Sequence, residues 1–204
     1  MKEKELPPDS KSCPSATIDT LLTILYEKSD ETEKHSKRLG EYCHVIGQRL
    51  GFSSGEMDEI SLLALLHDIG KVGIHVNILQ KPGALTPQEW DVMKEHPAIG
   101  CQIVRSIPEL GTVSDLILAH HERWDGKGYP RGLKGEEIPL FCRILAVADS
   151  FDAMINDRAY RKAMEKEAAI QEIERNAGTQ FDPGVAELFV KIMTNMGRKP
   201  LSGQ

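Results

Sequence analysis

Read as a pattern of apolar and polar positions, the chain is a series of short helical stripes with punctuated joints, and no alternating strand of convincing length interrupts it. Asp30 and Glu33 form a capping-box pair, after which Leu39, Tyr42, Cys43, Ile46 and Leu50 keep helical spacing until Gly51 supplies a stop. Ser53 with Glu56 opens a second helix, carrying Ile60, Leu62, Leu63, Leu65 and Leu66 toward Asp68, with Gly70 near its end. Thr86-Pro87-Gln88-Glu89 places a cap, a proline and an acidic residue in the order a helix start prefers, and Pro97 begins another helix through Ile99, Ile103 and Val104. A helix from about Ser114 to His121 follows. Glu122 to Pro139 then holds four glycines and two prolines in eighteen residues, which predicts a long ordered loop of the kind that carries function. Helical spacing resumes over Leu140 to Met154, near Lys166 to Asn176, and after Asp182-Pro183. The prediction is an all-α fold, a single compact domain of about eight to ten helices over residues 16–196. A linker or flexible N-terminal arm over 1–15 precedes it and a flexible tail over 197–204 follows.

Composition narrows the function classes. Hydrophobic residues at 40% and charged residues at 27% of 204 are ordinary for a globular chain, which excludes a disordered or collagen-like one. The longest aliphatic runs, Leu62 to Leu66 and Ile144 to Ala148, fall far below the ~20 residues that cross a bilayer, so no membrane segment is expected. The first five residues carry charge where a signal peptide has its apolar stretch, and a cytoplasmic location is the expectation. Cys13, Cys43, Cys101 and Cys142 contain no C-x-x-C pair and read as reduced, mostly core-filling thiols. The net charge of −6, without a run of like charges, gives no reason to expect DNA or RNA as a partner. An anionic substrate would need a local source of positive charge, which bound metal ions supply.

Candidate chemistry is spread over five segments. His67 and Asp68 end an otherwise apolar helix, where both reach a site at the helix terminus from different angles. His35 shares the stripe of Leu39, Tyr42 and Ile46, with Glu31 one turn before it. His96 sits at a helix joint, His120 and His121 close a helix just before the glycine-rich loop, and Asp149 lies within an apolar run with Asp152 one turn later. Each has a plain structural alternative: a satisfied core histidine, a first-turn carboxylate meeting the helix dipole, or a local hydrogen bond. Together they make a mixed nitrogen and oxygen set suited to Fe, Mn or another borderline divalent ion. Trp90 and Trp124 read as packing residues.

HDIGK at His67 to Lys71, KPG at Lys81 to Gly83, HHE-WDG-GYP between His120 and Pro130, R-ILAVAD at Arg143 to Asp149 and GTQFDP at Gly178 to Pro183 stand in one order. In these motifs the chain resembles the HD superfamily of metal-dependent phosphohydrolases, and within it the HD-GYP subfamily, from about Glu31 to Phe189. The resemblance implies a phosphodiesterase that hydrolyses the bacterial second messenger cyclic di-GMP to pGpG, GMP or both. Two or three divalent metal ions, Fe(II) or Mn(II), would serve it. His35, His67, Asp68, His96, His120, His121 and Asp149 match the family's ligand positions, Asp68 as the bridging carboxylate, and Glu31 matches the extra carboxylate of three-metal members. Lys71 would lie near the reacting phosphate, which makes Lys71 and Asp68 the catalytic pair. Gly128 and Tyr129 match residues facing the ligand, and Arg158 and Arg161 match basic positions that contact the dinucleotide. The chain departs from the family at His75-Val76, where Pro-Asp is common, and at Ala159, where Pro is usual. Alternatives are a hydrolase of another cyclic dinucleotide, 3′,3′-cyclic GMP-AMP, and a catalytically weak cyclic-dinucleotide receptor. The resemblance leaves room for an upstream sensor or diguanylate cyclase domain or partner, and for a homodimer.

Overall fold

Capping chemistry sets some of the element boundaries. In the computed structural model, which describes residues 14–28, 33–157 and 162–196, Ser53 and Glu56 exchange their side-chain and backbone hydrogen bonds as a capping box. Thr86 and Glu89 do the same with Pro87 inside the first turn. Among the described residues the chain forms ten α-helices: α1 (Pro14–Lys28), α2 (Glu33–Leu50), α3 (Ser54–Leu66), α4 (Val76–Leu79), α5 (Pro87–Met93), α6 (His96–Arg105), α7 (Ser114–Ala119), α8 (Leu140–Ile155), α9 (Lys166–Arg175) and α10 (Pro183–Met196). Short 3₁₀ segments, Ile69–Gly73, Pro108–Val113 and Gly135–Glu137, join them. The all-α expectation agrees with this architecture.

Two helices, α1 and the four-residue α4, have no counterpart in the sequence expectation. The start of α1 at Pro14 falls inside the stretch read as an arm, and its Leu25 is fully buried. Ile18, Leu21 and Leu22 pack on the same core, and the Lys28 ammonium donates to the carbonyl of Val72, tying α1 to the turn after α3. The remainder of the expected arm and tail, residues 1–13 and 197–204, lies outside the described residues, as does Asp30 of the capping pair ahead of α2.

The core lies between α2, α3, α8 and α10. Leu39, Cys43 and Ile46 of α2 meet Ile60, Leu63 and Leu66 of α3, all fully buried. Tyr42, Phe151 and Phe189 close the other side in edge-to-face contacts of 5.5 and 5.0 Å between ring centroids. Burying each such side chain contributes about 1.5–3 kcal/mol. The cysteine reading holds for the described residues: Cys43, Cys101 and Cys142 are buried free thiols, and burial pushes Cys43 and Cys142 up to about 12. Cys13 lies outside them. No described helix is long and apolar enough to cross a membrane.

Close backbone approach fixes where the helix ends meet. A Cβ on Gly70 would stand 1.8 Å from the His96 carbonyl oxygen and 2.5 Å from the Gly100 nitrogen, so only glycine lets the turn after α3 touch the start of α6. Asp68 and His96 are brought face to face by that contact.

Candidate metal centre

His67 and Asp68 leave the C-terminal end of α3, His96 begins α6, His120 and His121 follow α7, His35 comes from the first turn of α2 and Asp149 from the middle of α8. The structure brings all seven together in two adjoining groups. In one, Asp68, His96, His120 and His121 each offer a ligand atom, all within 4.8 Å of one another. In the other, His35, His67 and Asp149 do so within the same limit. Asp68 stands between the groups, with Oδ2 at 3.3 Å from His67 Nε2 and Oδ1 at 3.1 Å from His96 Nε2.

Backbone carbonyls orient the imidazoles. The Nδ1 atoms of His67, His96 and His120 face the carbonyls of Ala64, Met93 and Ile117 at 3.1, 2.8 and 2.6 Å. A carbonyl oxygen only accepts, so each Nδ1 carries a proton, and the neutral ring's remaining lone pair on Nε2 points into the cluster. Burial and the neighbouring His121 and His96 hold His120 well below the usual histidine range, and burial together with His96 pushes His121 down to about 3. Burial alone would raise the Asp68 carboxyl, but Lys71 and His67 outweigh it and hold it well below the usual carboxylate range. Lys71 Nζ donates to Asp68 Oδ2 at 2.7 Å.

This arrangement fits cations. His96 Nε2 and His120 Nε2 lie 3.3 Å apart with both ring protons already committed elsewhere. Buried Asp68 Oδ1 accepts no hydrogen bond among the described residues although His96 Nε2 is near. Lone pairs that converge without a donor between them call for a positive ion, and the imidazole and carboxylate set, with no thiolate, matches borderline divalent metals.

Asp152, named in the sequence reading only as a neighbour of Asp149, is the partner that orients His35. It is 1% exposed, accepts from His35 Nδ1 at 2.8 Å, and takes Arg38 Nε and Nη2 at 2.5 and 2.8 Å. Its carboxylate turns the other nitrogen of His35 toward Asp149 Oδ1, 3.6 Å away. The apolar run around Asp149 suggested a buried carboxylate, but the buried one is Asp152; the Asp149 side chain is 29% exposed, on the wall of a cavity.

That cavity, about 500 Å³, opens over His120, His121 and Asp149 and is walled by Trp90, Lys94, Lys127, Gly128 and Tyr129. Gly128 is sterically required: its Cβ would stand 2.4 Å from the Arg123 nitrogen and 2.6 Å from the His121 carbonyl oxygen. Tyr129 leans on His121 with ring centroids 4.8 Å apart. Burial raises its phenol, and the Asp68 charge adds to that rise. The loop carrying them is anchored by Glu122, which is 4% exposed and accepts from the backbone nitrogens of Arg131 and Leu133 at 2.7 and 3.0 Å. Asp125 N and Trp124 N reach the Thr179 and Gln180 carbonyls, so the GTQFDP segment braces the loop from below.

One reading changes, and His75 falls outside the site. Trp90 is no packing residue, because it is 47% exposed at the cavity rim. His75 caps α4, accepting from Asn77 N at 3.3 Å, and stands apart from the cluster. Glu31, Arg158 and Arg161 lie outside the described residues.

A family model described as "HD domain" matches residues 19–185. A cyclic di-GMP phosphodiesterase of Thermotoga maritima is 46% identical over 84% of this chain and 48% of its own length. A 3′3′-cGAMP-specific phosphodiesterase of Vibrio cholerae is 39% identical over 87% of this chain and 40% of its own length. The chain thus spans about half the length, or less, of these curated relatives. The crystal structure of a Vibrio cholerae cyclic GMP-AMP specific phosphodiesterase superposes with a TM-score of 0.68 at 24% identity, covering 89% of this chain and 49% of that one.

Proposed function

Because the chain belongs to the HD domain family, we propose that it is a metal-dependent phosphodiesterase that opens cyclic di-GMP to pGpG, GMP or both, within a unit spanning residues 16–196. The observation that carries this reading is the convergence of neutral imidazole nitrogens on Asp68, from both groups, at the floor of an open cavity. His35, His67 and Asp149 would hold one ion, His96, His120 and His121 a second, and Asp68 both; Fe(II) and Mn(II) suit that donor set. When bound, such cations neutralise a phosphodiester and activate water at neutral pH. Glu31 is assigned to a third ion.

The protein's own groups supply the rest. Lys71 is held against Asp68 beside the cluster, so it is assigned to the departing 3′-oxygen, which gains a proton as the P–O bond breaks and the water oxygen bonds to phosphorus. His121 and Gly128 set the floor of the cavity, and Tyr129 closes over them to face the dinucleotide. Arg158 and Arg161 are assigned to its phosphates. A messenger nucleotide as substrate places the reaction in the cytoplasm.

The test is product chromatography of protein loaded anaerobically with Fe(II) or with Mn(II). Asp68→Ala is expected to abolish hydrolysis and release most of the metal; a variant keeping full metal and near-normal turnover refutes the assignment. The similarity to a 3′3′-cGAMP-specific enzyme favours a second substrate reading. The two messengers differ in one base, and the ratio of their kcat/KM values decides between them. Tight binding of both without turnover would instead make the chain a receptor.

A further inference from the structure

The rim of the cavity holds an aromatic face that the chemistry above leaves unused. Trp90 belongs to α5, a seven-residue helix with no buried residue, so hydrophobic packing does not account for an indole there. Instead, the 47% exposed ring stands at the cavity mouth beside Lys94. Its plane is 79° from that of Tyr129 at 6.3 Å between centroids, while Tyr129 lies only 31° from the plane of His121 at 4.8 Å. The three rings make successive contacts from the His and Asp cluster to the cavity rim.

Two rings nearly at right angles cannot sandwich one base between them. Tyr129 is engaged with His121 on the inner side, and Trp90 offers a half-exposed ring at the rim as a separate platform. A flat, electron-rich face at the edge of a cavity flanked by lysines matches the needs of a purine nucleotide, whose base stacks on any aromatic plane while its phosphate takes the positive charge.

We propose that Trp90 is a specificity-determining residue, stacking on a purine base of the cyclic dinucleotide while a phosphate of the same molecule lies over the His and Asp cluster. This rests on the phosphodiesterase reading given above. It makes the short α5 a base-recognition element, distinct from the residues that hold the ions. Small phosphodiesters without a base reach the cluster without touching it.

Trp90→Ala and Trp90→Phe variants test the platform on three ligands. For cyclic di-GMP, Trp90→Ala is expected to raise KM by about tenfold with kcat little changed, and Trp90→Phe to recover most of the loss, as base stacking tolerates any aromatic face. Hydrolysis of bis(p-nitrophenyl) phosphate should be the same in all three proteins. Titration with GMP by tryptophan fluorescence and calorimetry reads binding without catalysis; Trp90→Ala should weaken GMP and leave ribose 5-phosphate unaffected. An unchanged KM and unchanged GMP affinity in Trp90→Ala, or equal losses with the baseless ligands, overturns the proposal. Wild-type protein that cleaves the small diester but no cyclic dinucleotide refutes the substrate reading instead, and the GMP titration still decides the role of Trp90.

Discussion

Gly70→Ala is expected to disable the ion-binding cluster without altering any of its side chains. The added methyl would sit 1.8 Å from the His96 carbonyl oxygen, where ordinary contact begins near 3.4 Å. The turn after α3 and the start of α6 must therefore part by about 1.5 Å, and both obstructing groups, His96 O and Gly100 N, are backbone atoms that cannot rotate aside. Overpacking of this kind costs about 1–3 kcal/mol, which in a domain of this size lowers the melting temperature by roughly 2–12 °C. The larger effect falls on the site, since His96 Nε2 and Asp68 Oδ1, now 3.1 Å apart, lie on opposite sides of the widened gap. Misplacement by about 1 Å commonly lowers turnover on the order of a hundredfold. Metal content per chain, thermal melting and turnover of bis(p-nitrophenyl) phosphate are the three measurements. Gly40→Ala is the matched control, because nothing lies within 4 Å of its added Cβ in the middle of α2. It should stabilise the helix by about 0.5–1 kcal/mol and leave turnover alone. A Gly70→Ala protein with wild-type metal content and turnover would refute the close-approach argument.

Asp152→Asn keeps the size but removes the charge that His35 and Arg38 share. Breaking such a buried ion pair costs about 3–5 kcal/mol, and losing the partner that orients a ligand histidine lowers metal affinity by roughly 10–100-fold; competition with a metal-binding dye checks the second figure, and undiminished affinity contradicts it. Glu122→Ala should destabilise by about 2–4 kcal/mol, because two backbone N–H groups lose a charged acceptor, and should raise KM for the dinucleotide more than for the small diester. Equal effects on both substrates would mean that Glu122 supports the cluster itself and not only the loop. Lys71→Ala should keep its metal and its KM and lose kcat, the signature of an interaction made in the transition state. A rise in KM alone would reassign Lys71 to substrate binding.

What could be read from the sequence was whatever is settled within a turn or two of chain. Ser53 with Glu56 and Thr86 with Glu89 cap their own helices, so those starts were legible, and the glycines and prolines after Glu122 marked a loop from local geometry alone. The helix α1 lacks such a signal: no acidic residue stands in its first turn, and its apolar face is specified by packing on a distant core. Asp152 stands beside Asp149 in the sequence reading without a role of its own, because its partners, His35 and Arg38, lie more than a hundred residues earlier in the chain. Trp90 reads as core because an apolar residue on a helix usually is, and only the surroundings of α5 reveal that about half of its surface stays open among the described residues. Glu122 carried a usable sign: a carboxylate at the mouth of a loop rich in unpaired backbone N–H groups is a natural acceptor for them.

The residues of the two ligand groups come from α2, the turn after α3, α6, α8 and the turn after α7, and the link from His35 to Asp152 alone joins positions 117 apart. A cation gripped by such residues acts as a cross-link that closes very long loops, where chain entropy gives a clip its greatest leverage. The cluster does not exist in the unfolded chain, so mass action adds to the native state about 2.7 kcal/mol at a free-metal concentration one hundred times Kd, and about 4.1 kcal/mol at a thousand times. Melting temperature should climb with metal activity and fall on adding a chelator, which reads occupancy of the cluster with no substrate and no reaction.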